Sequence, residues 1–228
     1  MDESMVRAPR DNAILEEIHR IERWCQESGQ MWEDPEFNAD DTALYIDPEN
    51  APEYAQDTAE VEWKRPNEIF QTDDPVLMKD YSVPGDAKQG VLNDQWLLGS
   101  FSTLAMNPEL LKNLIVHDGL KFGFAVFQFF KNGRWTFVKV DTRIPYNINT
   151  KTPLYGQCAD PQEFWIPLIE KAYAKLHGSY EILNEGKIEE ALVDMTGGVT
   201  EKYDLLSPEM KGSLESGQFW KDLKKYHS

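Results

Sequence analysis

Gln89-Gly90-Val91-Leu92-Asn93-Asp94-Gln95-Trp96-Leu97-Leu98-Gly99-Ser100 is a turn that gives way to an apolar helix beginning at Asp94 or Gln95. The loop from Asp80 to Gln89, with Pro84-Gly85-Asp86 inside it, feeds this start. Gln95 therefore stands at the junction of loop and helix. Its carboxamide does not ionise near neutral pH, and its nitrogen lone pair is delocalised into the carbonyl. It can donate and accept hydrogen bonds but cannot attack a carbonyl carbon as a thiolate does.

Downstream, Asn107-Pro108 reads as a cap and first-turn proline opening a short helix through Leu110, Leu111 and Leu114. Two apolar runs, Lys121–Phe130 and Trp135–Val140, flank Lys131-Asn132-Gly133-Arg134. Asn-Gly between such runs predicts an antiparallel hairpin. Asp160-Pro161-Gln162-Glu163 reads as the start of a long helix to about His177, with Trp165, Leu168, Ile169, Ala172 and Leu176 inward. Further helices are expected at Ile188–Met195, stopped by Thr196-Gly197-Gly198, and at Gln218–Tyr226.

Upstream, Leu15, Ile18, Ile21 and Trp24 predict an amphipathic helix over about Asn12–Glu27, capped by Asp11 or Asn12, with Glu16 and Glu17 in its first turn. It packs on its own chain or docks on a partner. Between Trp24 and Trp63 there are twelve acidic residues and no basic one. With Pro35, Pro48 and Pro52, residues 31–62 read as an extended wrapping segment. The fold class is α+β, mainly helical with a small antiparallel sheet, preceded by the N-terminal helix and the acidic segment.

The formal charge of −17 opposes binding to phosphate backbones and anionic lipid, so nucleic acid is excluded as a partner. No run of about twenty apolar residues predicts a membrane span. No early apolar run marks a secretory signal, and Asp in place of Gly at residue 2 excludes N-myristoylation at the start of this chain. Cys25 and Cys158 lack metal-ligand spacing and read as reduced thiols, so the expectation is a cytoplasmic protein.

Several stretches carry a resemblance to the calpain-like cysteine proteases. Gln89–Leu98 resembles the family's Gln-Gly-x-Leu-Gly-Asp-Cys-Trp-Leu-Leu, with Gln95 in place of the cysteine. Val61–Ile69 resembles Glu-Trp-Lys-Arg-Pro-x-Glu-Ile, and Trp32–Phe37 resembles Phe-x-Asp-Pro-x-Phe. Glu163–Lys175 is similar to Glu-Phe-Trp-x-x-Leu-Leu-Glu-Lys-Ala-Tyr-Ala-Lys, and Thr196-Gly197-Gly198 to the junction between the two protease lobes. Tyr45–Tyr54 is also similar to calpain-like proteins of flagellated protists, many of which serve the cytoskeleton. The resemblance implies a calpain/papain-like first lobe at 63–205. Residues 1–30 form the N-terminal helix region, 31–62 the acidic segment, and 206–228 the first helix of a second lobe.

Carried over residue by residue, the nucleophile falls on Gln95 and the oxyanion-hole glutamine on Gln89. The family's general-base His and its Asn lie in a second-lobe strand of Gly-His-Ala-Tyr type, a run not found in these 228 residues. His227 sits in a charged stretch without that context; His19, His117 and His177 have ordinary surface or helix-end readings. Losing one triad member costs several powers of ten in rate, so the expectation is a pseudo-protease acting as a structural or adaptor protein. Its implied partners are cytoskeletal or axonemal proteins of a cilium or flagellum. Aromatic surface near Trp63 and Trp96 is the candidate interface. Two alternatives stay open. One is a calcium-binding regulatory module, for which the resemblance implies Asp86 and Glu163 with the carbonyls of Lys79 and Tyr81. The other is a peptidase fragment completed by another chain. Against calcium, Asp86 also fits a turn, Glu163 also fits a capping box with Asp160, and Tyr81 replaces a family glycine.

Overall fold

In the computed structural model, which describes residues 12–53, 60–69, 75–79 and 87–225, the chain opens with helix α1 (Asn12–Ser28). A mostly extended stretch follows, broken by the one-turn helix α2 (Asp41–Leu44) and a 3₁₀ turn at Pro48–Asn50. Strand β1 (Val61–Lys64), helix α3 (Pro66–Ile69) and strand β2 (Ala87–Lys88) lead to helices α4 (Gln95–Ala105) and α5 (Pro108–Leu114). Six strands come next: β3 (Ile115–Gly119), β4 (Phe124–Lys131), β5 (Arg134–Asp141), β6 (Ile144–Asn147), β7 (Thr152–Pro153) and β8 (Gln157–Cys158). Helices α6 (Trp165–His177) and α7 (Ile188–Thr196) complete one compact unit, Met1–Gly198. Helices α8 (Pro208–Glu215) and α9 (Gln218–Lys225) belong to a second, Val199–Ser228.

The strands form three small antiparallel sheets, ordered β1-β6-β7, β2-β8 and β3-β4-β5. β4 and β5 pair from Phe124↔Asp141 to Lys131↔Arg134, closed by Asn132 (φ 52°) and Gly133 (φ 77°). Two successive positive φ angles make the primed turn that Asn-Gly favours, whose twist matches that of its strands. β4 is buried on both faces. Ala125, Phe127 and Phe129 enter the main core, while Phe124 and Val126 point into a second cluster beneath α1. Double burial explains why this strand reads as an unbroken apolar run rather than an alternation.

The described parts of the acidic segment, 31–53 and 60–62, are less featureless than their composition implies. Asp40 accepts from the Thr42 amide at 2.9 Å and caps α2, which buries Ala43 and Leu44 beside Phe37 and Tyr45 in the main core. Helix α1 presents Ile14, Ile18, Ile21 and Cys25 inward, whereas Trp24 is 45% exposed and Leu15 half-buried. The expected face was thus partly misplaced. Its first turn holds no acidic residue; Glu17, a turn later, ion-pairs with Lys139, and Asp11 lies outside the described residues.

Helix α6 starts at Trp165, four residues past the expected Pro161. Asp160 instead folds over the Gln162 amide (2.9 Å), and the Phe164 amide donates to the carbonyls of Val76 and Leu77. Pairing with the 75–79 segment holds residues 160–164 out of the helix. In the second unit Ser207 Oγ accepts from the Met210 amide at 3.2 Å and Pro208 opens α8. The Tyr203 and Phe219 rings meet edge-on at 5.1 Å, and neither helix of this unit buries a residue. Among the described residues no helix is long and apolar enough to cross a membrane.

Candidate functional site

Gln95 is the first residue of α4, and the Asp94 carbonyl accepts from the Leu97 and Leu98 amides at 2.9 and 3.1 Å. The helix is driven inward by Leu97, Leu98, Phe101 and Leu104, all in the main core. Its polar start is thereby left at the surface. Gln95 Nε2 donates to Gln89 Oε1 at 2.9 Å, and Gln89 Nε2 donates to the Leu92 carbonyl at 2.6 Å. The two residues singled out by their six-residue spacing therefore touch. Gly90 lets the loop lie against its neighbour, since a Cβ there would come within 2.3 Å of the Leu154 carbonyl oxygen. Across the helix start, the Asn93 amide donates to Asn184 Oδ1 (3.0 Å) and Trp96 Nε1 to the Leu183 carbonyl (3.0 Å).

Trp96 meets Tyr173 edge-on at 6.1 Å and fills the space that a side chain at Gly186 would need. Trp63 lies under the Lys171 ammonium, 5.2 Å from its ring centre. Both tryptophans are half-buried against their own unit rather than broadly exposed.

Of the four residues implied for calcium, Asp86 and Tyr81 lie outside the described residues. Lys79 and Glu163 are brought together, but through the Lys79 amide, which donates to Glu163 Oε1. The Lys79 ammonium is 2.5 Å from Asp160 and 2.7 Å from Gln162 Oε1. Glu163 supplies a carboxylate of the kind a hard cation takes, yet one of its oxygens faces a donor. It does not close the capping box: the Asp160 carbonyl accepts from the Glu163 amide at 3.1 Å, and the Glu163 carboxylate turns to Lys79. Among the described residues no three His, Cys, Asp or Glu side chains cluster to hold a metal ion.

Charge inside α6 was overlooked by sequence reasoning. Lys171 and Asp141 are fully buried and 2.7 Å apart, with Arg143 Nη2 also 2.7 Å from Asp141. Burial alone would raise the Asp141 carboxyl; the Lys171 charge and the Arg143 hydrogen bond outweigh it and hold it at about 2. Burial lowers Lys171 to about 8 against the pull of Asp141, which leaves it protonated at neutral pH. A second buried group, Asp94 with Glu170, lies directly behind the Gln95 helix start. The available signal was Glu170-Lys171 embedded among residues that otherwise read as core.

Residues 32–228 match the model of the calpain family cysteine proteases. The chain belongs to the calpain family. Calpain clp-1 of Caenorhabditis elegans is 38% identical over 205 residues, covering 88% of this chain and 25% of that protein. Calpain-1 catalytic subunit of Gallus gallus is 40% identical over 197 residues (84% and 27%), and Calpain-2 catalytic subunit of Homo sapiens 36% over 199 (86% and 28%). The chain spans about a quarter of the length of these calpains. Its α+β architecture is that of a calpain protease-core domain, and helix α1 precedes the matched residues.

Proposed function

We propose that this calpain-family chain is a catalytically inactive lobe, a pseudo-protease serving as a structural or adaptor protein, with cytoskeletal or flagellar proteins as its partners. The chemistry at residue 95 carries the reading. A calpain-type acyl-enzyme needs a polarisable thiolate at the start of this helix, and Gln95 offers a carboxamide. Gln89, the oxyanion-hole equivalent, has its amide nitrogen directed to the Leu92 carbonyl instead of outward. The two thiols are elsewhere: Cys25 is on the buried face of α1, where burial raises its pKa, and Cys158 is buried in β8. In this reading residues 63–205 are the first protease lobe, 206–228 open a second, 1–62 supply an added helix and wrapping segment, and the partly exposed edges of Trp63 and Trp96 are where a partner would bind.

A sensitive peptide-cleavage assay on the 228-residue protein tests the loss of activity. Neither wild type nor Gln95→Cys is expected to cleave, because a new thiol at 95 would still lack the base of the family's Gly-His-Ala-Tyr strand, a run not found in these 228 residues. Cleavage by wild type would overturn the pseudo-protease reading in favour of a peptidase fragment. Proximity labelling in the native cell would then name the partner.

Glu163, a carboxylate brought beside Lys79, leaves a second reading, a calcium-binding regulatory module in which the cation would have to displace the Lys79 amide. For that, calorimetric titration should give heat at millimolar calcium that Glu163→Gln removes. The adaptor reading expects no heat from either protein.

A further inference from the structure

We propose that Asp94 and Glu170 share one proton and so act as a positioning pair, clamping the start of α4 to the middle of α6 and releasing it when that proton is lost. Each is 1% exposed. Asp is a favoured N-cap residue, yet the Asp94 side chain makes no capping bond to its helix. It turns inward, where Glu170 is the neighbouring group that its carboxyl faces. No N–H or O–H from another described residue reaches either Asp94 carboxyl oxygen or Glu170 Oε1. The remaining oxygen, Glu170 Oε2, accepts from the Gly156 amide at 2.9 Å.

Two ionised carboxylates are acceptors only, so a hydrogen bond between them requires a proton on one. Nothing nearby makes full ionisation cheap. Among the described residues no Lys, Arg or His pairs with either group, and Lys171, next in sequence, is directed to Asp141 and the Arg143 carbonyl. The other titratable groups of the pocket are Tyr155, from the loop before β8, and Tyr180, just past α6, whose rings stack at 4.4 Å. Both are neutral donors when protonated and cannot balance two negative charges. Gly156 completes the enclosure, because a Cβ there would come within 2.9 Å of Glu170 Oε2, 3.1 Å of Ile166 and 3.2 Å of Leu98. Burial first, and the adjacent Asp94 charge second, push the Glu170 carboxyl well above its ordinary value; burial likewise raises Asp94.

The sign follows from linkage. The folded state holds a proton that the unfolded state releases at ordinary carboxylate pH, so stability is fully present below that pH and falls as pH rises toward the folded-state value. For one proton the folded-to-unfolded ratio drops about tenfold per pH unit in that window. Residue 95 is the first to feel the release, whatever chemistry it does or does not perform.

Urea unfolding of the 228-residue protein between pH 5.5 and 9 tests the pair, with hydrogen exchange of the Leu97, Leu98 and Ser100 amides corrected for intrinsic rate. In Glu170→Gln the amide NH₂ donates to Asp94 without a borrowed proton. The variant is expected to lose the roughly tenfold-per-unit dependence and to keep its α4 protection at pH 9, where wild type loses at least about tenfold. Equal pH dependence in the two proteins overturns the proposal. If Glu170→Gln does not fold, Asp94→Asn makes the same comparison. If neither folds, carboxyl carbon NMR of wild type decides: the proposal expects one of the two groups to stay protonated well above pH 5, and ordinary titration of both overturns it.

Discussion

Asp141→Ala is expected to destabilise the Met1–Gly198 unit by about 3–5 kcal/mol in urea unfolding at pH 7, because it strands a charge the interior cannot hydrate. Lys171 is fully buried, and its ammonium is met by Asp141 Oδ1 (2.7 Å), the Asp141 carbonyl (3.1 Å) and the Arg143 carbonyl (2.6 Å). Only the first of these carries the opposite charge. Asp141 also accepts from the Asp34 amide at 2.9 Å and the Arg143 amide at 2.9 Å. Its loss therefore loosens the wrapping segment, which Lys175 grips through Asp34 at 2.8 Å and Glu36 at 3.0 Å.

The two partners' shifts report different things. The depressed Asp141 value records attraction, while the lowered Lys171 value records what burial costs the cation. A buried pair is thus costly to break without being strongly stabilising in itself. Asp141→Leu with Lys171→Met should recover most of the Lys171 penalty and leave the weaker loss at Asp34 and Arg143. A single-variant loss below about 1 kcal/mol would sink this account. Acid gives an independent check. With Asp141 at about 2 in the fold and about 4 unfolded, its contribution of roughly 2.5 kcal/mol is present above pH 4 and is lost as pH falls toward 2. The alanine variant should lack that part of the acid limb.

Legibility in the sequence followed the range of the determining interaction. The hairpin was readable because Asn132 and Gly133 satisfy a purely local demand for positive φ. So was the start of α4 at Gln95. The beginning of α6 was not, because its decisive bonds come from Val76, Leu77 and Lys79, more than eighty residues away. In α1, Leu15, Ile18, Ile21 and Trp24 rise by threes, and at about 100° per residue such a series drifts across half the helix. Ile14, Ile18, Ile21 and Cys25 fall within about 60° of one another and form the true face. Helix α8 escaped notice because Pro208–Glu215 carries only Met210 and Leu214 as large apolar residues, too few to set a helical period.

The site divided the same way. Spacing and resemblance paired Gln89 with Gln95, which the structure brings to 2.9 Å. The inward turn of Asp94 was illegible, since an aspartate before a helix reads as a cap until its burial is known. Lys171 and Glu170 sit side by side on one buried helix yet are neutralised by different means, one by a distant carboxylate and one by a shared proton. No one-dimensional pattern separates those two cases.

Ile18→Asp is expected to detach α1 while leaving the main core folded, with protection of the amides of residues 12–28 falling by about a hundredfold or more in hydrogen exchange. Ile18 is 3% exposed and packs with Ile14, Ile21 and Cys25 on Phe124 and Val126, with Val116, Phe122 and Phe137 at the edge. Truncating such a residue to alanine costs about 2–4 kcal/mol, and a carboxylate adds a desolvation cost with no cation in the cluster to meet it. Undocking is the cheaper outcome. The polar ties, which include Glu17 to Lys139 and the Cys25 thiol to the Phe122 carbonyl at 3.5 Å, are too weak to hold the helix alone. Once free, a 17-residue helix of this composition is marginal in water. The main core is a separate cluster built from the opposite face of β4, so it should lose only the cover over Phe124 and Val126. New protease cleavage near Gly29–Met31, with cleavage elsewhere unchanged, would show the helix leaving as a unit. Unchanged protection over residues 12–28 would mean that the polar ties hold α1, and that its apolar face is not what fixes an element lying outside the calpain-matched residues.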